Sequence, residues 1–143
     1  MASVLIVDDE ATFARNAARF LEKAGHSVQL AGTAAEGLAH VCADLPDVIV
    51  LDYRLPDLDG VAVIRKIRAL DAAVPILMIT GHGSIELAVE AMKIGANDLL
   101  TKPVSLAELR QRVEQISRGM RDSSRLRYFD ARERRHAHEL VGE

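Results

Sequence analysis

The chain has 143 residues, 49% of them hydrophobic, and no apolar run approaches the ~20 residues that span a bilayer. Its net charge of −3, with 2 Tyr, 3 Phe and no Trp, argues against direct binding of nucleic acid or a place in a membrane. The single cysteine excludes an internal disulfide, and the amino terminus lacks a signal-peptide pattern, so we expect a cytoplasmic protein.

Five strand-like runs alternate with five helix-like runs along the chain. We predict strands at Val4–Val7, Ser27–Ala31, Val48–Leu51, Ile76–Ile79 and Asp98–Leu100, and helices at about 10–24, 33–43, 60–70, 84–94 and 105–121. This βαβ alternation implies a parallel sheet with right-handed crossovers and helices on both faces. The fold class is therefore α/β with a doubly wound sheet.

The fifth helix carries a heptad-like apolar seam. The seam is formed by Leu106, Leu109, Val113, Ile116 and Met120. Two heptads are short for a coiled coil, so we expect residues 105–118 to pack on their own sheet. For residues 119–137 two interpretations stay open, a helix that pairs with a second chain and a flexible linker.

Reactive side chains follow four of the predicted strands. Asp8 and Asp9 follow the first strand, Asp52 the third, Thr80 the fourth, and Lys102 comes shortly after the fifth. The carboxyl ends of parallel strands share one edge, where open α/β sheets place their chemistry, so we expect these residues to lie close together. Three acids at close range are unfavourable unless a cation joins them, and carboxylate oxygens suit Mg²⁺.

Each of these residues also has a purely structural interpretation. The acids around Asp8 could cap the first helix, Thr80 could be a turn residue, and Lys102 could be an exposed lysine. Capping does not explain an acidic pair that faces Asp52. Together the residues fit phosphoryl transfer, with attack by Asp52 and with Thr80 and Lys102 stabilising charge on the phosphoryl oxygens. A cis bond before Pro103 would direct Lys102 inward.

The segments around these residues resemble the receiver domain of two-component response regulators, over about residues 2–120. The motifs are Val7-Asp8-Asp9-Glu10, Leu51-Asp52-Tyr53-Arg54-Leu55-Pro56 with Asp59-Gly60, Thr80-Gly81-His82-Gly83 and Thr101-Lys102-Pro103. The resemblance implies a flavodoxin-like sheet of order 2-1-3-4-5 and phosphorylation of Asp52 by a histidine kinase. It also implies Mg²⁺ held by Asp9, Asp52 and the backbone carbonyl of Arg54, with Asp8 acting through water.

A narrower resemblance concerns the segment 80–93, which is similar to the receivers of NtrC-like, sigma-54-dependent activators. Residues 139–143 resemble the opening of the AAA+ domain that follows in those proteins. We therefore expect a receiver domain at 1–120 and a linker at 121–143 that leads to an AAA+ output domain. Such a module is a phosphoacceptor switch, not an enzyme in its own right, and assists its own phosphorylation and dephosphorylation. It would control oligomerisation through helix 4, strand 5 and helix 5, or through an extended helix 5.

Two departures from the family pattern concern the path to the output surface. Leu99 stands where the family usually has an aromatic residue, and Val104 stands where it usually has Phe. The phosphorylation chemistry depends on neither residue, whereas the usual aromatic relay does. Arg54 and His82 lie two residues after Asp52 and Thr80, and we expect both to flank the phosphoryl group and hinder the hydrolytic water.

Two other classes of protein remain as alternatives. A haloacid-dehalogenase-like, Mg²⁺-dependent phosphatase would also use an aspartate nucleophile, but it needs a second acid at the position of Arg54. A degenerate receiver used only for dimerisation would not need Asp52, Thr80 and Lys102 together. Labelling with a phosphoryl donor separates this last alternative from a phosphorylated receiver.

Overall fold

The computed structural model describes residues 1–81 and 85–118 of the chain. Its elements in chain order are β1 (Ser3–Val7), α1 (Ala11–Lys23), β2 (Ser27–Ala31), α2 (Ala34–Ala43), β3 (Val48–Asp52), α3 (Gly60–Leu70), β4 (Ile76–Thr80), α4 (Ile85–Ile94), β5 (Asp98–Thr101) and α5 (residues 106–118). The strands form one parallel sheet of order β2-β1-β3-β4-β5, so the predicted fold class and strand order are confirmed.

The two faces of the sheet are covered by different helices. Side chains of β3 and β4 alternate between the two covered faces, which is why each strand is apolar up to its last residue. On one face Ile49 and Met78 pack with residues of α2, α3 and α4. On the other face Val50 and Leu77 pack with residues of α1 and α5. Because both faces of the central strands are covered, these strands hold the residues at their carboxyl ends in fixed positions.

The fifth helix packs on its own sheet, as predicted for residues 105–118. Leu109 and Val113 are fully buried on the α1 side of the sheet, and Leu106 and Ile116 pack against the same cluster. Met120 and the two interpretations for residues 119–137 lie outside the described residues. No helix of the described segments is long and apolar enough to cross a bilayer.

A half-buried arginine joins α3 to the turn that follows α4. Arg68, which follows the apolar spacing of the third helix, donates through Nη2 and Nε to the carbonyl of Gly95 at 2.7 and 3.1 Å. It also donates to Oδ1 of Asn97 at 3.1 Å, and that oxygen accepts the N–H of Ile76 at 2.8 Å. Gly95 has a φ of +128° and abuts the guanidinium, so a side chain there would be excluded. The carboxyl end of α4 is therefore anchored to α3 and β4.

Candidate functional site at the carboxyl edge of the sheet

Three carboxylates meet where β1 and β3 end side by side. Asp8, Asp9 and Asp52 each offer an oxygen, and these oxygens lie within 4.8 Å of one another. The strands carrying them are direct neighbours, with Val7 paired to Leu51. Asp8 and Asp52 are only 4% and 6% exposed, whereas Asp9 is exposed. The predicted gathering of these acids at one edge is what the fold produces.

Hydrogen bonds from the backbone orient the two buried acids. Oδ1 of Asp8 accepts the N–H of Glu10 at 2.8 Å, and Oδ1 of Asp52 accepts the N–H of Arg54 at 3.4 Å. Glu10 occupies the position before the first residue of α1 but makes no capping hydrogen bond with its side chain. Helix capping by Glu10, one of the structural interpretations of this motif, is therefore absent from the described hydrogen bonds of α1.

The pKa values of the two buried acids are both raised, so their ionised forms are disfavoured. Burial raises the pKa of Asp8 to about 6, and the negative charge of Asp52 adds to the increase. Burial also raises the pKa of Asp52, although the positive charge of Lys102 opposes the shift. The side-chain interaction between the two carboxyl groups raises the pKa of Asp8 further and lowers that of Asp52. A cation bound here would remove the repulsion and favour both ionised forms.

The donor set fits a hard divalent cation. All the side-chain ligands are carboxylate oxygens, and there is neither sulfur nor imidazole within the group. Asp9 is exposed, so the group opens toward solvent on one side. An open site of this kind leaves room for water and for oxygens of a substrate, which is how Mg²⁺ is usually bound in proteins.

A lysine completes the charge pattern of the site. Nζ of Lys102 lies 3.6 Å from Oδ1 of Asp52 and 3.6 Å from Oε1 of Glu10. Its backbone N–H donates to the carbonyl of Thr80 at 2.8 Å, which fixes the turn after β5 against the end of β4. The bond between Lys102 and Pro103 is cis, the geometry considered from the sequence.

Thr80 is the last residue of β4 and is completely buried. In the sheet, β4 lies between β3, which ends in Asp52, and β5, which precedes Lys102. Thr80 is therefore placed between these two charged residues. A hydroxyl in this place can donate to an anionic oxygen held at Asp52.

The other predicted residues take different places around the edge. The Arg54 side chain is exposed, and its backbone forms an isolated antiparallel bridge with Asp59. Leu99 is partly buried and packs on the core at the α3 side, while Pro103 is exposed. His82, expected to flank the site, lies outside the described residues.

Two acids with contacts at this edge, Glu10 and Asp57, were not predicted from the sequence to be site residues. Glu10 shares Lys102 with Asp52. Asp57, in the loop after β3, accepts the N–H groups of Ala34 and Ala35 at the start of α2. An Asp after a Pro reads as an ordinary turn residue, and no local signal in the sequence reveals a partner 23 residues away.

Comparison with known proteins decides the family. The sequence profile described as the response regulator receiver domain matches residues 4–114. The chain belongs to this family. It is 37% identical over 128 residues to the C4-dicarboxylate transport transcriptional regulatory protein DctD of Rhizobium meliloti, a match covering 87% of this chain and 28% of that protein. It is also 37% identical over 111 residues to the transcriptional regulatory protein ZraR of Salmonella typhimurium, covering 78% and 25%. The chain thus spans about a quarter of these relatives.

Solved receiver structures show the same architecture. A CheY-like receiver from Methanospirillum hungatei superposes with a TM-score of 0.82 at 28% identity, covering 86% of this chain and 98% of that one. The receiver domain of NtrX from Brucella abortus gives a TM-score of 0.75 at 34% identity, covering 80% and 98%. The expected resemblance to receivers is confirmed, and the comparisons favour neither the phosphatase nor the degenerate receiver.

Proposed function

We propose that this chain is the phosphorylation-controlled input module of a two-component regulator and accepts a phosphoryl group on Asp52 from a histidine kinase. One observation carries the proposal. In a receiver fold, the buried carboxylate of Asp52 lies within 4.8 Å of the Asp8 and Asp9 oxygens and 3.6 Å from the ammonium of Lys102. Such a carboxylate lies close to both a candidate cation site and a fixed positive charge, two features that favour in-line attack on a phosphoryl group.

The residues divide the work of the transfer among them. Mg²⁺ would be held by Asp9, Asp52 and the carbonyl of Arg54, with Asp8 acting through water. When bound, the cation would neutralise the acids and the phosphoryl oxygens. Asp52 supplies the attacking oxygen, and its bond to phosphorus forms as the bond from phosphorus to the donor breaks. Lys102 and the Thr80 hydroxyl stabilise the charge on the equatorial oxygens. Arg54 and His82 would flank the product and slow its hydrolysis by limiting the approach of water.

Phosphorylation would also change the partners of Lys102. Before transfer its ammonium is shared between Asp52 and Glu10, at equal distances of 3.6 Å. A phosphoryl group adds up to two negative charges and strong acceptor oxygens at Asp52. Lys102 then binds mainly to the phosphoryl oxygens and less to Glu10. The loop before α1 and the turn after β5 consequently respond to the same event.

The output belongs to a longer protein in this proposal. The relatives DctD and ZraR are named transcriptional regulatory proteins, and this chain matches about a quarter of each. We place residues 1–120 as the receiver and 121–143 as the linker to an AAA+ domain of the sigma-54-dependent class, in the cytoplasm with its kinase. The exposed apolar residues Ile85, Val89 and Met92 on α4 favour a homodimer through α4, β5 and α5. Extension of α5 is the other dimer geometry.

The test is phosphorylation by a small donor. Incubation with acetyl phosphate and MgCl₂ should add one acid-labile phosphoryl group to the wild-type chain, detected by intact mass. Asp52→Asn should add none, while Asp44→Asn, which changes an exposed carboxylate after α2, should behave as wild type. A full equivalent on the Asp52→Asn chain, or an unmodified wild-type chain, would overturn the proposal.

A further inference from the structure

We infer that Asp57 is a positioning residue for the acidic site, because it ties the loop between β3 and α3 to the first turn of α2. The loop, residues 53–59, contains Arg54, whose backbone touches Asp52. The inference rests on the proposed function, since it concerns how the phosphoacceptor and its cation site are kept in place. Its role is exerted through the loop, and Asp57 itself touches none of the three acids among the described contacts.

The contacts of Asp57 are two hydrogen bonds to successive backbone groups. Its Oδ1 accepts the N–H of Ala34 at 2.9 Å, and its Oδ2 accepts the N–H of Ala35 at 3.0 Å. The first N–H groups of a helix have no acceptor inside the helix, and its amino terminus attracts negative charge. These bonds, from Ala34 first, lower the pKa of Asp57, so the ionised carboxylate is the form that is held.

The first turn of α2 already has its own cap. Oγ1 of Thr33 accepts the N–H of Glu36 at 3.1 Å, and Oε1 of Glu36 accepts the N–H of Gly32 at 2.8 Å. These two bonds resemble a capping box, except that Glu36 accepts the N–H of the residue before the N-cap, and they leave the N–H groups of Ala34 and Ala35 to Asp57. The helix therefore keeps the side-chain cap of Thr33 when Asp57 is removed, and the contacts of Asp57 hold the loop as well as the helix start.

The base of the loop is closed by a separate set of contacts. The N–H of Gly60 donates to the carbonyl of Tyr53 at 2.6 Å, and Arg54 pairs with Asp59 in an antiparallel bridge. Oδ1 of Asp59 accepts the N–H of Ala62 and caps α3. Two aspartates of one loop thus cap two different helices. The base is fixed by backbone contacts, while the charged attachment of the tip is the side chain of Asp57.

The loop reaches the acidic site through Arg54. Its N–H donates to Oδ1 of Asp52 at 3.4 Å, the same oxygen that lies 3.6 Å from Nζ of Lys102. At 3.4 Å this bond is already longer than the usual range of about 2.7–3.2 Å, so a further displacement of the loop would break it. The carbonyl of Arg54 is also the backbone ligand assigned to the cation by the resemblance. Release of the loop tip would therefore disturb both the carboxylate and the carbonyl.

A role confined to the stability of α2 makes a different prediction from a positioning role. Thr33→Val removes the side-chain cap of the same helix but no contact of the loop. Both Thr33→Val and Asp57→Ala should lower the melting temperature by about 3–6 °C, as loss of a cap does in a domain of this size. Asp57→Ala alone should affect the acidic site.

The experiment measures Mg²⁺ binding at the acidic site, with no phosphoryl donor present, and amide hydrogen exchange in the absence of metal. Amide NMR titration with MgCl₂ should give a dissociation constant about tenfold higher in Asp57→Ala than in wild type, the low end for a supporting residue. Without metal, the Arg54 amide should exchange its hydrogen faster. Asp57→Asn, whose amide oxygen still accepts one hydrogen bond, should show an intermediate constant, and Thr33→Val the wild-type constant.

Two results would overturn the inference. One is an unchanged Mg²⁺ constant in Asp57→Ala, and the other is an equal increase in Thr33→Val. Phosphorylation by acetyl phosphate is measured in parallel on the same samples. A wild-type chain that binds Mg²⁺ but takes up no phosphoryl group would overturn the proposed function, while the comparison of Mg²⁺ constants would still decide the role of Asp57.

Discussion

The ammonium nitrogen of Lys102 lies 3.6 Å from Oδ1 of Asp52, although β4 separates the strand of Asp52 from the strand that precedes Lys102. The lysine spans this gap because its backbone N–H is bound to the last carbonyl of β4, that of Thr80. Its side chain is 31% exposed and that of Asp52 is 7% exposed. A partly desolvated cation held in this way acts on the carboxylate more strongly than an exposed surface pair would.

Replacing this lysine should slow phosphorylation without unfolding the protein. In Lys102→Met the apolar stem stays, but the charge that stabilises the phosphoryl oxygens is lost. We expect acetyl phosphate to label the variant about 10²-fold more slowly, the usual effect of removing one such group. Lys93→Met, which removes an exposed lysine of α4, should label at the wild-type rate. Equal rates for Lys102→Met and wild type would show that the lysine has no part in the transfer.

Replacing the competing acid should have the opposite effect. Glu10→Gln removes one of the two carboxylates that share Lys102, so the lysine binds Asp52 more fully. We expect labelling by acetyl phosphate to speed up on the order of two- to threefold at low salt, a modest change because the Glu10 side chain is 62% exposed. The gain should shrink as KCl is added, because salt screens exposed charges. A slower rate in the variant would contradict a competitive role.

The raised pKa of Asp8 makes the metal-free protein less stable at neutral pH. The pKa of Asp8 in the folded state is about 6, above the value of 3.8 for the unfolded chain. The contribution of Asp8 to the free energy of unfolding is therefore fully present below about pH 4 and is lost as the pH rises through 6. Asp8→Asn, which cannot ionise, should therefore gain about 1–3 kcal/mol of unfolding free energy at about pH 7.5 in EDTA.

Urea titrations of both chains at the two ends of this pH range check the prediction. The gain from Asp8→Asn should be close to zero at about pH 4, where wild-type Asp8 is already protonated. Added MgCl₂ should narrow the difference at about pH 7.5, since binding to the folded wild-type chain stabilises it. A gain of the same size at both pH values would mean that ionisation of Asp8 is not its cause.

Leu99 tests how the surface responds to phosphorylation. We expect a response without an aromatic relay, because movement of Thr80 toward the phosphoryl group leaves space that Leu99 can fill. The change should then appear as a movement of α4, whose carboxyl end stays anchored by Arg68. Structures with and without beryllofluoride, which imitates a phosphoryl group on Asp52, measure this. Superimposable α4 helices, with only Leu99 or α5 displaced, would contradict it.

The sequence predicted those features that depend on local pattern. Continuous apolar runs gave the strands β3 and β4 to within one residue, and a polar residue after each run placed Asp52 and Thr80 at one edge. The difference at the ends is that both residues pair within the sheet, Asp52 with Ile79 and Thr80 with Thr101. Pairing with a neighbouring strand extends a strand beyond its apolar residues, and a single run does not show it.

The contacts that the sequence did not reveal are tertiary contacts of charged side chains. In the sequence, Asp57 resembles an ordinary turn residue and Glu10 an ordinary residue at a helix start. The fold alone brings Asp57 to the start of α2 and Glu10 to Lys102. Arg68 lies at an apolar position of the third helix, yet its guanidinium reaches the carbonyl of Gly95. The partner of a long or flexible polar side chain depends on which groups lie near it in the folded structure, and the spacing of residues along the chain does not reveal it.

The most direct test of the central claim identifies the atom that receives the phosphoryl group. An acyl phosphate on an aspartate is reduced by borohydride to homoserine, whereas a phosphate ester on a hydroxyl is not. After labelling with acetyl phosphate and MgCl₂, borohydride treatment and peptide mass spectrometry should find homoserine at position 52 and unchanged aspartate at Asp8, Asp9 and Asp57. Homoserine at any of those other positions, with Asp52 unmodified, would contradict the account.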